Sequence, residues 1–406
     1  MSKINDLIKE MCPNGVEYKN IKELCRENFW VMPSTPNYQN EGIPYITSKN
    51  IKNGKVMFDN VKYITENDYK SISSNRTIKE NDFLISMIGT IGEVGIVKKE
   101  DLPFYGQNMY LLRLNVDLIN IKYFYHYFTS SMVKNLLIGE KNNGNQGYLK
   151  TKNIEMLKVP VPPLEVQEEI VKILDKFGKL EAELEAELEA RKSQYEFWRG
   201  NLVNVDTQKY KLNEIANIYD GTHSTPNYQL SGVSFISVEN IKDIYSSNKF
   251  ISKEDYDKYK IKPMINDVFM TRIGSIGKCA VFERQIDLAY YVSLALIRPN
   301  NNIISSKYLK YYLESSIGRD ELYKKTLTNA VPIKINKDDI GKINVIVPSK
   351  KEQYRIVNIL DKFDALVNDI TEGIPAEIEL RRQQYEYYRN KLLSFEEIYY
   401  EWFIGW

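Results

Sequence analysis

The chain has 406 residues and a net charge of +1, with 43% hydrophobic and 27% charged residues. That length exceeds one ordinary core and implies two or more domains, and the composition excludes a disordered chain. No apolar run approaches a membrane span, the opening MSKINDLIKEM lacks a signal-peptide core, and Cys12, Cys25 and Cys279 form no CxxC pair, which fits structural thiols in a cytoplasmic protein.

The charge is patterned along the chain. Residues 1–159 carry a net +4, residues 160–200 −4, residues 201–345 +4 and residues 346–406 −3. The two basic blocks suit a polyanion and the two acidic ones do not.

In chain order, the hexapeptide STPNYQ comes first, at Ser34–Gln39, followed by IPYITSKNIK at Ile43–Lys52. DFLISMI and EVGIVKK then read as β-favouring runs joined by a GTIG turn. A helix is predicted over about Asn120–Leu137, with Phe124, Phe128, Met132 and Leu136 on one face. The polar, basic KNNGNQGYLKTKN (Lys141–Asn153) reads as a loop. The Pro-rich VPVPP ends a strand and starts a long helix from Leu164 to Leu202, with Ile170, Ile173, Leu174, Phe177 and Leu180 as its apolar seam. At 1.5 Å per residue this helix spans roughly 57 Å, more than a compact domain needs.

The same series then repeats at an offset of 185–190 residues. STPNYQ recurs at Ser224–Gln229, VSFISVENIK matches IPYITSKNIK, and NDVFMTRIGSIG matches NDFLISMIGTIG. A second helix is predicted over about Ile304–Lys325, with Tyr308, Tyr312 and Leu313 on one face. VIVPSKKEQYRIVNILDKF and RRQQYEYYRNKL repeat VPVPPLEVQEEIVKILDKF and RKSQYEFWRGNL. The second long helix, Lys350–Leu392, contains EGIP (Glu372–Pro375), which should kink or break it. One long unit is therefore used twice. The predicted fold class is α+β: two globular mixed heads on two long helices that form an antiparallel coiled-coil spacer, with a pseudo-twofold internal repeat. The corresponding boundaries are 1–159 for head 1, 160–202 for the central helical spacer, 203–346 for head 2, 347–394 for the C-terminal helical spacer and 395–406 for the tail.

The motifs of common catalysts are missing. There is no GxxxxGK[ST] phosphate loop, no GxGxxG after a strand, no zinc spacing, and only two histidines, His126 and His223. His126 sits on an apolar helix and reads as packed; His223 shapes a turn in DGTH. No carboxylate pair stands out, and no Asn-Pro-Pro-Tyr-like element is present. These absences point away from an autonomous enzyme.

The doubled markers DGTHSTPNY, GIPYITSKNI, IGTIG, VPPLEVQEEIVKILDKF, RKSQYEFWRGNL and EGIPAEIELRRQQYEYYRNKLL resemble the specificity subunit of type I restriction–modification systems over essentially the whole chain. The resemblance implies two target-recognition domains, 1–159 and 203–346, each reading half of a split double-stranded DNA site. It implies helical regions that space the heads and dock two modification subunits, with restriction subunits added for cleavage. No cofactor is expected in this chain; S-adenosylmethionine, ATP and Mg are expected on the partners, which carry adenine-N6 methylation and motor–nuclease chemistry. No membrane partner is implied.

The repeat supplies a sorting rule for site residues. Positions identical in both heads read as scaffold, and polar positions that differ read as readout. STPNYQ is scaffold by this rule, with a subsidiary phosphate role open for Thr35, Tyr38, Thr225 and Tyr228. Met87 opposes Arg272, Glu93 opposes Lys278, and Ser48-Lys49 oppose Val238-Glu239. Arginine suits guanine, lysine phosphate, and Asn145 and Gln146 adenine. The candidate DNA-binding set is Lys49, Asn50, Thr90, Asn145, Gln146, Lys150 and Lys152 in head 1, and Arg272, Ser275, Lys278, Lys334 and Lys337 in head 2. KKTLTNAVPIKINKDD (Lys324–Asp339) is the second head's counterpart of the loop at Lys141–Asn153. Leu174, Phe177, Leu184, Leu188, Tyr195, Leu360, Phe363 and Tyr385 form the expected spacer and partner interface.

LEAELEAELEA (Leu180–Ala190) is helix-favouring filler locally, and in function it reads as a ruler. One four-residue unit advances a helix by about 6 Å and rotates it by about 40°, near the rotation per base pair of a duplex. Two alternatives remain at this point: a protein-binding scaffold with two heads, and a self-sufficient methyltransferase.

Overall fold

The computed structural model describes residues 2–88, 91–139 and 150–398. The chain forms two compact units, one of residues 1–183 with 378–406, the other of residues 184–377. The division falls inside the two spacer helices, so each unit is a head with a piece of each.

In the first unit the head is built on a four-stranded antiparallel sheet. Its strands are β1 (Cys25–Val31), β2 (Phe83–Ser86), β3 (Val94–Ile96) and β4 (Met109–Leu114), in the order β1-β4-β2-β3. Alternation along the strands divides the core in two. Phe83, Ile85, Tyr110 and Leu112 face one cluster, beneath the helices; Leu84, Met109 and Leu111 face the other, beneath a small sheet. That small sheet joins Ile43–Ile46 to Lys62–Ile64 and to Tyr105–Gly106.

The second unit repeats the plan with β5 (Ala216–Asp220), β6 (Val268–Thr271), β7 (Cys279–Val281) and β8 (Leu294–Pro299), in the order β5-β8-β6-β7. Val268, Met270, Ala295 and Ile297 face the helices; Phe269, Leu294 and Leu296 face the opposite cluster.

The identical residues do hold the scaffold. Asn81 and Asn266 take positive φ, 69° and 74°, which asparagine tolerates better than most side chains. The aspartates that follow are buried and grip an arginine of β4 or β8 with two bonds each. Arg113 donates to Asp82 at 2.8 and 2.8 Å, and Arg298 to Asp267 at 2.9 and 2.8 Å. STPNYQ fixes the small sheet in both heads. The Gln39 amide donates to Tyr63 O at 2.8 Å and the Gln229 amide to Phe250 O at 2.9 Å. Tyr38 packs edge-on to Tyr45, and Tyr228 to Phe235, both at 5.7 Å.

Each predicted head helix is in fact two. The first breaks into Ile121–Phe128 and Ser131–Gly139, the second into Ser306–Glu314 and Ser316–Tyr323. Hydroxyl side chains cause the breaks. Thr129 Oγ1 donates back to Tyr125 O at 2.7 Å, and Ser130 Oγ and Ser315 Oγ accept the Val133 and Gly318 amides as N-caps. The break turns the expected face: Phe124 and Phe128 are buried, but Val133 and Leu137 replace Met132 and Leu136, which are exposed. Tyr308, Tyr312 and Leu313 are all buried, as their spacing requires.

The central helix runs unbroken over Leu164–Val203, while the predicted second helix is broken at residues 369–373 into Lys350–Asn368 and Ile374–Leu392, with the Ile-Pro of EGIP opening the latter. In the first unit, Phe177 stacks on Tyr388 at 5.4 Å and lies 6.3 Å from Tyr385, and Arg382 Nε donates to Glu181 at 2.5 Å. Rising numbers on one helix meet falling numbers on the other, so the pair is antiparallel. In the second unit Tyr195 stacks on Phe363 at 6.4 Å, the equivalent contact.

One glutamine per unit fastens head to helix. Gln167 accepts the Asn120 amide (2.7 Å) and donates to Leu118 O and Pro162 O. Gln353 accepts the Ser305 amide (2.9 Å) and donates to Ile303 O and Pro348 O. The first unit also takes in both ends of the described chain. The helix Ser2–Met11 packs Ile4 into the core, and Val16 bonds Glu396 O and the Ile398 amide.

Candidate nucleic-acid interface

In the second unit, the β6–β7 hairpin and the segment after Tyr323 form one continuous edge. The hairpin turns through Gly274 (φ +78°) and Gly277 (φ +85°), where a side chain would be strained and a Cβ on Gly277 would come within 2.9 Å of Leu322. Against this turn lies a short finger. The Leu327 amide donates to Lys334 O at 2.7 Å and closes residues 328–333 into its tip. The Gly274 amide donates to Ile333 O at 2.9 Å and the Ile335 amide to Arg272 O at 3.0 Å, which bind the finger to the hairpin.

The edge is basic. Lys278, Lys325 and Lys334 are exposed, and among the described residues none has a carboxylate within ion-pair distance. Lys324 instead meets Glu321 at 2.7 Å, and Lys337 meets Asp338 at 3.7 Å. Lys325 was not among the candidates, although it adjoins Lys324 in the same basic run.

Arg272 takes a different place from the one its chemistry suggested. Its side chain is 6% exposed and paired with Asp220 of β5. Its backbone carbonyl is what supports the finger. A guanine contact would first require breaking the Asp220 pair. Ser275 is half-buried in the turn beside it.

In the first unit, Lys49, Lys150 and Lys152 are exposed. Asn50 closes its own turn, accepting the Thr47 amide at 3.0 Å and donating to Asp59 O at 3.2 Å, and Asn240 repeats the first bond with Ser237 at 3.1 Å. Asn50 thus follows the scaffold half of the sorting rule. Thr90, Asn145 and Gln146 lie outside the described residues. Thr35, Tyr38, Thr225 and Tyr228 are exposed. His223 is exposed, and His126 is buried as expected, with Nδ1 3.0 Å from Tyr385 Oη and Nε2 3.0 Å from Asp175.

Of the spacer candidates, Phe177 meets Tyr385 in the first unit and Tyr195 meets Phe363 in the second, while Leu174 and Leu360 join the cores of the two units. Leu174 and Leu360 are fully buried, Tyr195 nearly so, and Phe177, Leu184, Leu188, Phe363 and Tyr385 are half-buried. The helix surface carries other aromatics. Phe197 and Trp198 stand edge-on at 5.5 Å, and Tyr387 and Tyr388, their equivalents, at 5.2 Å; Phe197, Trp198 and Tyr387 are exposed. Their sequence signal was the aromatic pair repeated in QYEFW and QYEYY, hidden among 30 tyrosines.

Among the described residues, no cluster of three or more His, Cys, Asp or Glu could hold a metal, and no helix is long and apolar enough to cross a membrane.

Comparison with known proteins gives a consistent result. The family model described as type I restriction modification DNA specificity domain matches twice, over residues 13–190 and 204–380. A Haemophilus influenzae protein, provisionally assigned as a type I restriction enzyme specificity subunit, is 27% identical over 86% of this chain and 91% of its own length. The EcoR124I/EcoR124II specificity subunit of Escherichia coli is 33% identical over 68% of this chain and 71% of its own. A chain from a structure describing complex assembly and conformational transition of a type I restriction–modification system superposes with TM-score 0.64. It is 17% identical, with 94% of this chain and 98% of that chain covered.

Proposed function

The chain belongs to the family of type I restriction–modification DNA specificity subunits, and from that membership we infer that its two heads each read one half of a split duplex target. DNA sequence recognition within a restriction–modification complex is the task of this family, and catalysis in type I systems lies on partner subunits. The observation that supports a split target is the head itself. One scaffold is built twice, with the same buried Asp–Arg grip and the same tyrosine packing, while the hairpin edges differ: a half-buried Glu93 stands where the exposed Lys278 does. Two readers of like shape and unlike surface suit two half-sites of unlike sequence.

Two modification subunits would dock on the helical surfaces, bringing S-adenosylmethionine, and restriction subunits would bring ATP and Mg. The exposed Phe197–Trp198 and Tyr387 offer equivalent anchors for two copies of one partner. The unbroken helix through Leu180–Ala190 would set the gap between half-sites.

The test is duplex binding by the chain assembled with its modification subunit. Salt-sensitive, sequence-selective binding is expected. Equal affinity for all duplexes, or none, would leave a protein-binding scaffold as the reading.

A further inference from the structure

The finger of the second head carries apolar side chains where a surface ordinarily carries polar ones. Val331 is 99% exposed at its tip, Leu327 44% and Ile333 38% along its sides, and Tyr323 is 68% exposed just before it. Single exposed apolar residues need no explanation, but three between Leu327 and Ile333 on one projection, with Tyr323 at the helix end beside it, do. The finger is also pre-shaped. The bridge between Leu327 and Lys334 and that between Ile273 and Lys334 fix its base, and the Ala330 amide donates to Leu327 O within the tip. Binding it would cost little ordering.

The surrounding charge selects the occupant. Lys325 and Lys334 stand at the base of the finger and Lys278 on the hairpin it packs against, so a partner that receives the apolar tip is anionic around an apolar centre. A duplex groove has that character: phosphates along the rims and base edges at the floor. Groove width decides which one. The finger is a turn closed by one backbone bridge; its two arms, about 4.8 Å apart at that bridge and with side chains beyond, fit a major groove about 12 Å wide and not a minor groove about 6 Å wide. The only apolar group on the major-groove floor of unmodified DNA is the thymine C5-methyl.

Resting on the DNA-reading function above, we propose that this finger enters the major groove of the second head's half-site and that Val331 reads a thymine through its C5-methyl group. Lys278, Lys325 and Lys334 hold the phosphate rims, and the Arg272 carbonyl holds the finger in place. The second head then selects by apolar contact, whereas the sequence counterpart of its finger in the first head is rich in Asn and Gln.

The test uses the chain assembled with its modification subunit and a duplex of its mapped target, with each thymine replaced in turn by deoxyuridine. Wild type is expected to bind about fourfold more weakly when the contacted thymine loses its methyl, the loss of one buried apolar carbon. Val331→Ser, at a fully exposed position and so neutral for folding, is expected to bind the thymine and deoxyuridine duplexes alike. Selective binding in which no deoxyuridine is felt, or in which Val331→Ser keeps the wild-type discrimination, overturns the finger's role and leaves DNA reading intact. Loss of partner association by Val331→Ser with unchanged duplex binding would make the finger a protein-docking element instead. Absence of selective duplex binding by wild type would overturn the DNA reading itself, and the finger's role with it.

Discussion

Replacing Lys278, Lys325 and Lys334 together by alanine should change how DNA binding depends on salt. All three are exposed and lack ion pairs among the described residues, so their charges are available to phosphate and their loss leaves the fold intact. Each phosphate contact released removes about 0.9 from the slope of log K against log salt, so the triple variant should lose about 2.7. Over a fourfold change in salt, from about 50 to about 200 mM, wild type should therefore lose about 40-fold more affinity than the variant does. Lys324 gives an internal comparison: with Glu321 at 2.7 Å it already has an anionic partner, and Lys324→Ala should move the slope less. Fluorescence anisotropy of a labelled target duplex, titrated with the assembled complex at several salt concentrations, reads the slope directly. A slope equal to wild type would refute the placement of this edge against DNA.

Other consequences follow from the scaffold and the helices. Gln353→Ala removes three hydrogen bonds from a fully buried side chain and should destabilise the second unit by about 3 kcal/mol, read in denaturant unfolding, with Gln167→Ala doing the same to the first. Burial holds the His126 imidazole below its ordinary pKa, against the raising influence of Asp175 and with Arg389 and Lys122 adding to the fall. The unfolded chain then binds this proton more readily, so stability is whole above pH 6.5 and declines as pH falls below it. His126→Tyr, copying the bond from Tyr311 to Asp361 in the second unit (2.6 Å), should flatten that decline in melts compared at pH 7.5 and 5.5. Phe197→Ala with Trp198→Ala, or Tyr387→Ala, should each remove one of two bound modification subunits, by roughly 2 kcal/mol of affinity, visible in native mass spectrometry.

The repeat made much of this architecture legible. Identical segments at a steady offset imply one scaffold, and the sorting rule placed STPNYQ correctly because a backbone bond to Tyr63 or Phe250 needs the same local chain in both heads. EGIP broke its helix for the reason any interior Gly-Ile-Pro would. Other features depended on distant partners. Arg272 had the right charge at a differing position, but Asp220, which claims its side chain, lies 52 residues earlier. The breaks at Thr129–Ser130 and at Ser315 had a local sign, hydroxyl residues able to cap, which the apolar spacing of Phe124, Phe128 and Met132 concealed. Nothing near Val16 announces that Glu396 and Ile398 pair with it, because strand partners of high sequence separation leave no periodic trace.

The most direct measurement of the central claim is a map of methylated adenines in DNA from cells expressing the chain with its modification subunit, and again with Leu184–Glu187 deleted. Wild type should yield one motif in two parts with a constant gap, and the deletion should keep both parts and shift the gap by about one base pair. A continuous motif from wild type, or an unchanged gap after the deletion, would contradict two heads reading one duplex across a helical ruler.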